Sequence, residues 1–330
     1  LAVYTVLNKK YETVFGFTQS EVVQLLEEYD LADRAEEVRD WYNGYVIGGQ
    51  LSVYNPWSIL NFINNREIDV YWLNTSDNQL IHQVLSASSA SFKADLESLM
   101  AEKSIEKEID ALVNFQRLDH YVEAVWSLLL FSGYLTVISQ RREDTDFYYE
   151  LKIPNKEVFS FYKKTVLGWF SQRSDPDYYL SMLRALTAGE LERFKDYFEM
   201  IVIHSLSSFD LRGDEQENFY HALVLGMLVS LSESHEVISN RESGFGRYDI
   251  MIIPKNISGG KPGIIIEFKR VNGRLKESLE QAVVSALKQI EEKQYQAQLE
   301  ARGIKNIIKL GIAFEGKQCL VREAGEAPGK

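Results

Sequence analysis

The sequence predicts a two-part chain: a mainly α-helical N-terminal region over residues 1–205, then an α/β domain over residues 206–330 in which helices flank a mixed central sheet. Three observations predict it. With 330 residues the chain is long enough for two domains. Apolar residues recur at helical spacing through Val22, Val23, Leu25 and Leu26, from Val122 to Ile138, and from Leu180 to Phe198. Later, the run Gly263-Ile-Ile-Ile266 has the unbroken apolar character of a strand covered on both faces.

Each element has a local reason. Thr18 stands before Gln19-Ser20-Glu21, so that Glu21 falls three residues beyond it in a capping box. Tyr42-Asn43-Gly44-Tyr45 is a turn signal and Gly48-Gly49 a second; residues 45–47 and 51–54 are therefore expected as a small hairpin. Asn55-Pro56-Trp57-Ser58 opens a helix with Pro in its first turn. The helical pattern breaks between Ser205 and Gly213, where the domain boundary is expected. A helix over 217–231 follows, with strands over 236–239, 248–253 and 263–269. Leu275, Leu279, Ala282, Val283, Ala286, Leu287 and Ile290 then share one face of an amphipathic helix over 275–299. Strands over 304–314 and 319–321 close the order.

Composition excludes several classes. The longest apolar stretches, such as Ala222 to Leu231, fall short of the roughly 18 residues a membrane span needs. One cysteine, Cys319, rules out an intramolecular disulfide and a cysteine zinc cluster. It suits a reducing compartment, and with no secretory signal at the start a cytoplasmic location is expected. The five histidines lack H-E-x-x-H spacing and no G-x-S-x-G elbow occurs, so neither a zinc hydrolase nor a serine hydrolase has support. Net charge is −12, but residues 206–330 hold 17 Lys and Arg against 17 Asp and Glu, which places the whole acidic excess in residues 1–205. The trailing half is thus compatible with a nucleic-acid partner.

The chemistry concentrates in Gly246-Arg-Tyr-Asp249 and Ile264-Ile-Ile-Glu267-Phe-Lys269. In a strand, residues i and i+2 face the same way, so Glu267 and Lys269 project together while Phe268 points opposite. An Asp and a Glu beside each other at neighbouring strand ends suit a hard divalent cation, Mg²⁺ or Mn²⁺. A lysine beside them steadies an attacking water or the charge on a phosphate in the transition state. Arg241, Arg247, Arg270, Arg274 and Lys276 lie close in sequence and suit phosphate contacts.

These residues resemble the PD-(D/E)XK nuclease superfamily, whose members carry Asp, a variable gap and Glu/Asp-X-Lys on adjacent strands of a restriction-endonuclease-like core. The likeness extends over roughly residues 215 to 320, through Glu217-Asn-Phe-Tyr-His221, Ser239-Asn-Arg-Glu-Ser-Gly244 and Gly311-Ile-Ala-Phe314. Tyr248 stands where the motif usually has Pro. The resemblance implies a metal-dependent phosphodiesterase acting on DNA, with RNA also open. It implies that Asp249 and Glu267 bind the metal, that Lys269 assists catalysis, and that Glu217 completes the metal shell, although Glu217 also reads as an exposed first-turn carboxylate. Gln289 and Tyr295 are similar to a supporting Gln/Tyr pair of related nucleases, and Gln281 competes for the same assignment.

In the N-terminal half, Phe15-Gly-Phe-Thr18, Trp41-Tyr-Asn-Gly-Tyr45, Tyr54-Asn-Pro-Trp-Ser58 and Tyr71-Trp-Leu-Asn-Thr-Ser76 resemble the latter part of an AAA-ATPase-like domain over roughly residues 10 to 100. The phosphate-binding loop G-x-x-x-x-G-K-[ST] is absent from these residues, so no ATP binding is expected. The aromatic residues here read as packing groups rather than a stacking platform for bases. The competing functional reading is a catalytically silent scaffold that keeps the nuclease fold and binds a protein partner through its acidic half.

Overall fold

The computed structural model describes residues 4–10, 14–49, 51–75, 78–87, 90–110, 122–144, 146–171, 177–206, 223–227, 229–241, 248–271, 277–292, 295–315 and 318–326. The chain divides into two compact units, Leu1–Thr165 and Val166–Lys330. The expected domain boundary near residues 205–213 lies inside the second unit, which also takes in the helices Asp177–Ala188 and Leu191–Leu206.

The first unit begins with the helix Gln19–Glu28. Its capping box is present: Glu21 N donates to the Thr18 hydroxyl at 3.4 Å and Thr18 N donates to the Glu21 carboxylate at 2.8 Å. Val22 and Leu26, one turn apart, are buried with Val38, Tyr42, Tyr54, Ile59 and Phe62. β1 (Tyr45–Ile47) pairs antiparallel with β2 (Leu51–Val53) in the expected hairpin. The helix Pro56–Asn65 starts under Asn55, whose side chain accepts from Trp57 N and Ser58 N.

A three-stranded antiparallel sheet, absent from the sequence reading, completes this unit: β3 (Ile105–Glu108), β4 (Thr136–Glu143) and β5 (Asp146–Lys152), in the order β3-β5-β4. The stretch from Val122 to Ile138 is therefore not one helix. It is helical over Val122–Phe131, turns at Gly133 with φ 81°, and enters β4. The conformation of Gly133 ends the helix, and the β-branched run Thr136-Val-Ile138 favours the strand.

In the second unit the expected helical stretch from Leu180 to Phe198 is two helices, Asp177–Ala188 and Leu191–Leu206, separated at Gly189 with φ 78°. Residues 223–227 and 229–231 are helical, within the helix expected from Glu217. The sheet has five strands: β6 (His235–Arg241), β7 (Tyr248–Pro254), β8 (Gly263–Arg270), β9 (Ile307–Glu315) and β10 (Gln318–Glu323), in the order β10-β9-β8-β7-β6. β6, β7 and β8 form an antiparallel meander, β8 and β9 run parallel, and β9 and β10 form a hairpin. A parallel neighbour requires a crossover. Here it is carried by the helices Leu279–Glu292 and Tyr295–Ala301, which replace the single helix expected over 275–299.

Both faces of β8 are covered. On one face Met251, Ile253 and Ile265 pack with Ile290, Leu299 and Ile304 of the crossover. On the other, Phe268 stacks on Phe314 with ring centroids 6.0 Å apart, and Phe314 meets Phe198 of the preceding helix. No described helix is long and apolar enough to cross a membrane.

Candidate functional site

The register of the central strands sets the site. β7 and β8 pair so that Asp249 lies directly opposite Glu267, and directly opposed residues of an antiparallel pair share one face of the sheet. The row continues to Asn240 on β6 and Gly311 on β9. The Asp249 side chain lies outside what the structure describes; its place is given by the backbone.

Glu267 ends the apolar run of β8 and is completely buried. Neither carboxylate oxygen makes a hydrogen bond among the described residues. Lys269, two residues on and mostly buried, brings its Nζ to 3.2 Å from Glu267 Oε1, an ion pair without hydrogen-bond alignment. The same ammonium donates to Gln289 Oε1. Phe268 projects to the opposite face and packs on Phe314, as the strand period requires.

Gln289 comes from the helix Leu279–Glu292, which buries Ala282, Val283, Ala286, Gln289 and Ile290 along one stripe. Gly311 lets that helix lie close to the sheet, because a Cβ there would stand 2.9 Å from Val283 O and 3.0 Å from Leu287 Cγ. Gln281, the other candidate, is exposed and caps its own helix by accepting from Ser278 N at 2.9 Å. It makes no described contact with Lys269. Tyr295 begins the helix Tyr295–Ala301 and its side chain is not described; Glu217 and His221 lie outside the described residues. Arg241 and Arg270 end β6 and β8, whereas Arg247, Arg274 and Lys276 lie outside the described residues.

A buried carboxylate with both oxygens unbonded is costly unless a cation satisfies it. Its oxygen donors, the facing acidic position and the mixed charge of the site fit a hard divalent cation. Among the described residues no three His, Cys, Asp or Glu side chains are grouped to hold a metal.

The sequence reading missed the part Gly311 plays: the sequence alone does not tell a glycine required by a crossing helix from any other strand glycine. It also missed the network that joins the N-terminal motifs. Asn155 donates to Asn43 O at 2.8 Å, and the buried Glu157 accepts from the Ser58 hydroxyl at 2.8 Å and from Trp72 N at 2.7 Å. Trp72 packs against Tyr45 and Tyr134. Several of the motif aromatics thus serve as packing groups, although Trp57 is half exposed.

A relative from Azotobacter chroococcum mcd 1, described as "Uncharacterized protein in vnfD 5'region", is 33% identical over 154 residues; the match covers 46% of this chain and 27% of that protein. No solved structure matches the chain. A family model described as PD-(D/E)XK nuclease superfamily matches residues 215–324. By this match, and by a five-stranded mixed sheet compatible with such a fold, that part of the chain is similar to the PD-(D/E)XK nuclease superfamily.

Proposed function

We propose that residues 206–330 act as a metal-dependent nuclease that hydrolyses phosphodiester bonds in DNA. The observation that carries this reading is the buried Glu267 carboxylate, unbonded among the described residues, opposite Asp249 in register and 3.2 Å from the Lys269 ammonium. In this reading Asp249 and Glu267 supply oxygen ligands to Mg²⁺ or Mn²⁺, and Glu217 completes the shell. The bound cation would offset charge on the scissile phosphate and its leaving oxygen. Lys269 holds the attacking water and balances charge on the phosphate. Gln289 holds Lys269 in place through its Oε1, with Tyr295 as a further support. The acidic N-terminal half positions substrate or a protein partner.

The test is cleavage of single- and double-stranded DNA and RNA with Mg²⁺ or Mn²⁺, comparing wild type with Asp249→Ala. Wild type should cleave DNA only with the cation, and the variant should lose about 100-fold or more of that activity, the scale of removing one preorganised charge-stabilising group. Absence of cation-stimulated cleavage by wild type on every substrate would favour the scaffold reading.

A further inference from the structure

Glu267 has no exposed surface and no hydrogen bond among the described residues, a state strongly disfavoured for a carboxylate without a compensating positive charge. Lys269 Nζ at 3.2 Å supplies that charge. Its described hydrogen bond, however, goes to the neutral Oε1 of Gln289. Gln289 is itself buried and belongs to a helix held close to the sheet over Gly311. The ammonium is therefore shared between a charged partner on its own strand and a neutral partner on the crossover helix.

We infer that Lys269 is an exchangeable counter-ion. It neutralises Glu267 until a divalent cation binds, then yields that carboxylate to the cation while Gln289 keeps the ammonium inside the site. No covalent bond is made or broken and no proton moves; the carboxylate would replace water on the incoming cation, and the ammonium changes its electrostatic partner only. Two cations on one carboxylate repel each other, so cation entry turns the lysine's charge toward an incoming phosphate. Loading of the cation and capture of the phosphate are coupled in this way, and the coupling runs equally in both directions. The exchange rests on the nuclease reading; the neutralisation of Glu267 by Lys269 does not.

The experiment uses the full chain as wild type, Lys269→Met, and the double variant Glu267→Gln with Lys269→Met. Thermal melting is measured in EDTA and in saturating Mn²⁺, and Mn²⁺ binding by calorimetry, with Mn²⁺ alone as the probe. In EDTA, Lys269→Met should melt below wild type, and the double variant should melt above Lys269→Met because the buried charge of Glu267 is removed together with its counter-ion. Saturating Mn²⁺ should close the gap between Lys269→Met and wild type. Lys269→Met should also bind Mn²⁺ about tenfold more tightly, since no ammonium has to be displaced. A gap that persists in Mn²⁺, or weaker Mn²⁺ binding by Lys269→Met, would overturn the exchange while leaving the nuclease reading intact. If wild type takes up no Mn²⁺, the nuclease reading and the exchange fail together. A double variant that melts no higher than Lys269→Met in EDTA removes the counter-ion role. Should Lys269→Met be unfolded in EDTA, recovery of the fold by Mn²⁺ supports the exchange and failure to recover refutes it.

Discussion

Gly311 controls how closely the helix Leu279–Glu292 approaches the sheet. It is a strand residue whose added Cβ would meet a backbone oxygen, Val283 O, at 2.9 Å, and a helix backbone has no rotamer with which to move aside. Gly311→Ala should therefore destabilise the protein by roughly 1–3 kcal/mol, the usual cost of overpacking a core, read as a lower melting temperature. Gln289 sits on the same helix and accepts from Lys269. A displaced helix carries that amide away, so the same variant should also lose nuclease turnover under conditions where it is still folded. Full turnover in a destabilised Gly311→Ala would mean that the Lys269–Gln289 contact does not matter for chemistry.

At the scale of elements, the start of the helix Lys156–Ser171 joins separated motifs of the N-terminal unit. Asn155 accepts from Val158 N at 3.0 Å as the cap and donates to Asn43 O, so Asn155→Ala removes both bonds. The expected loss is about 1–2 kcal/mol, at the upper end for a helix cap, read from chemical denaturation. Glu157, one residue into the helix, is buried under the Ser58 and Trp72 donors. Burial raises its pKa above the ordinary carboxylate value and outweighs the lowering by those hydrogen bonds. With the folded pKa above the unfolded one, the native state binds more protons in that window. The contribution of Glu157 to stability is then full below the unfolded value and is lost as pH rises through the folded value. The melting temperature of wild type relative to Glu157→Gln should accordingly fall as pH rises above the ordinary carboxylate range. A difference that is flat or rises with pH would contradict the assignment.

On the scale of the whole molecule, charge is distributed unevenly. The excess of acidic residues lies in residues 1–205, while residues 206–330 are balanced. In the proposed reading, phosphate contacts from that balanced part would work against the field of a chain with net charge −12. DNA should therefore bind weakly in EDTA and more tightly with Ca²⁺, which adds positive charge at the carboxylates and lets binding be followed by fluorescence anisotropy. The affinity should fall with salt at a slope of roughly −3 on logarithmic axes, corresponding to three or four phosphate contacts. Tight binding in EDTA with no salt dependence would show that the recognition surface is not the one proposed.

What the sequence determined by itself is local. The capping box at Thr18, the Asn55 cap, the hairpin turn and the shared face of Glu267 and Lys269 all follow from spacings of two to four residues, which backbone geometry converts directly into structure. The apolar run before Glu267 likewise announced a strand covered on both faces. The sheet β3-β5-β4 was not legible, because most of β4 beyond Val137 faces solvent and shows no alternation of apolar and polar residues. Gln289 and Gln281 were indistinguishable in sequence; docking of the helix over Gly311 turned one toward Lys269 and left the other to cap its own helix. The burial of Glu157 under Ser58 and Trp72, which come from distant parts of the chain, had no signal in the sequence. That Asp249 and Glu267 lie on neighbouring strands was expected from the motif; only their direct opposition came from the register of β7 and β8. Tertiary structure alone decided these points, because strand register and the identity of the buried polar groups depend on packing between residues far apart in sequence, where no local period reaches.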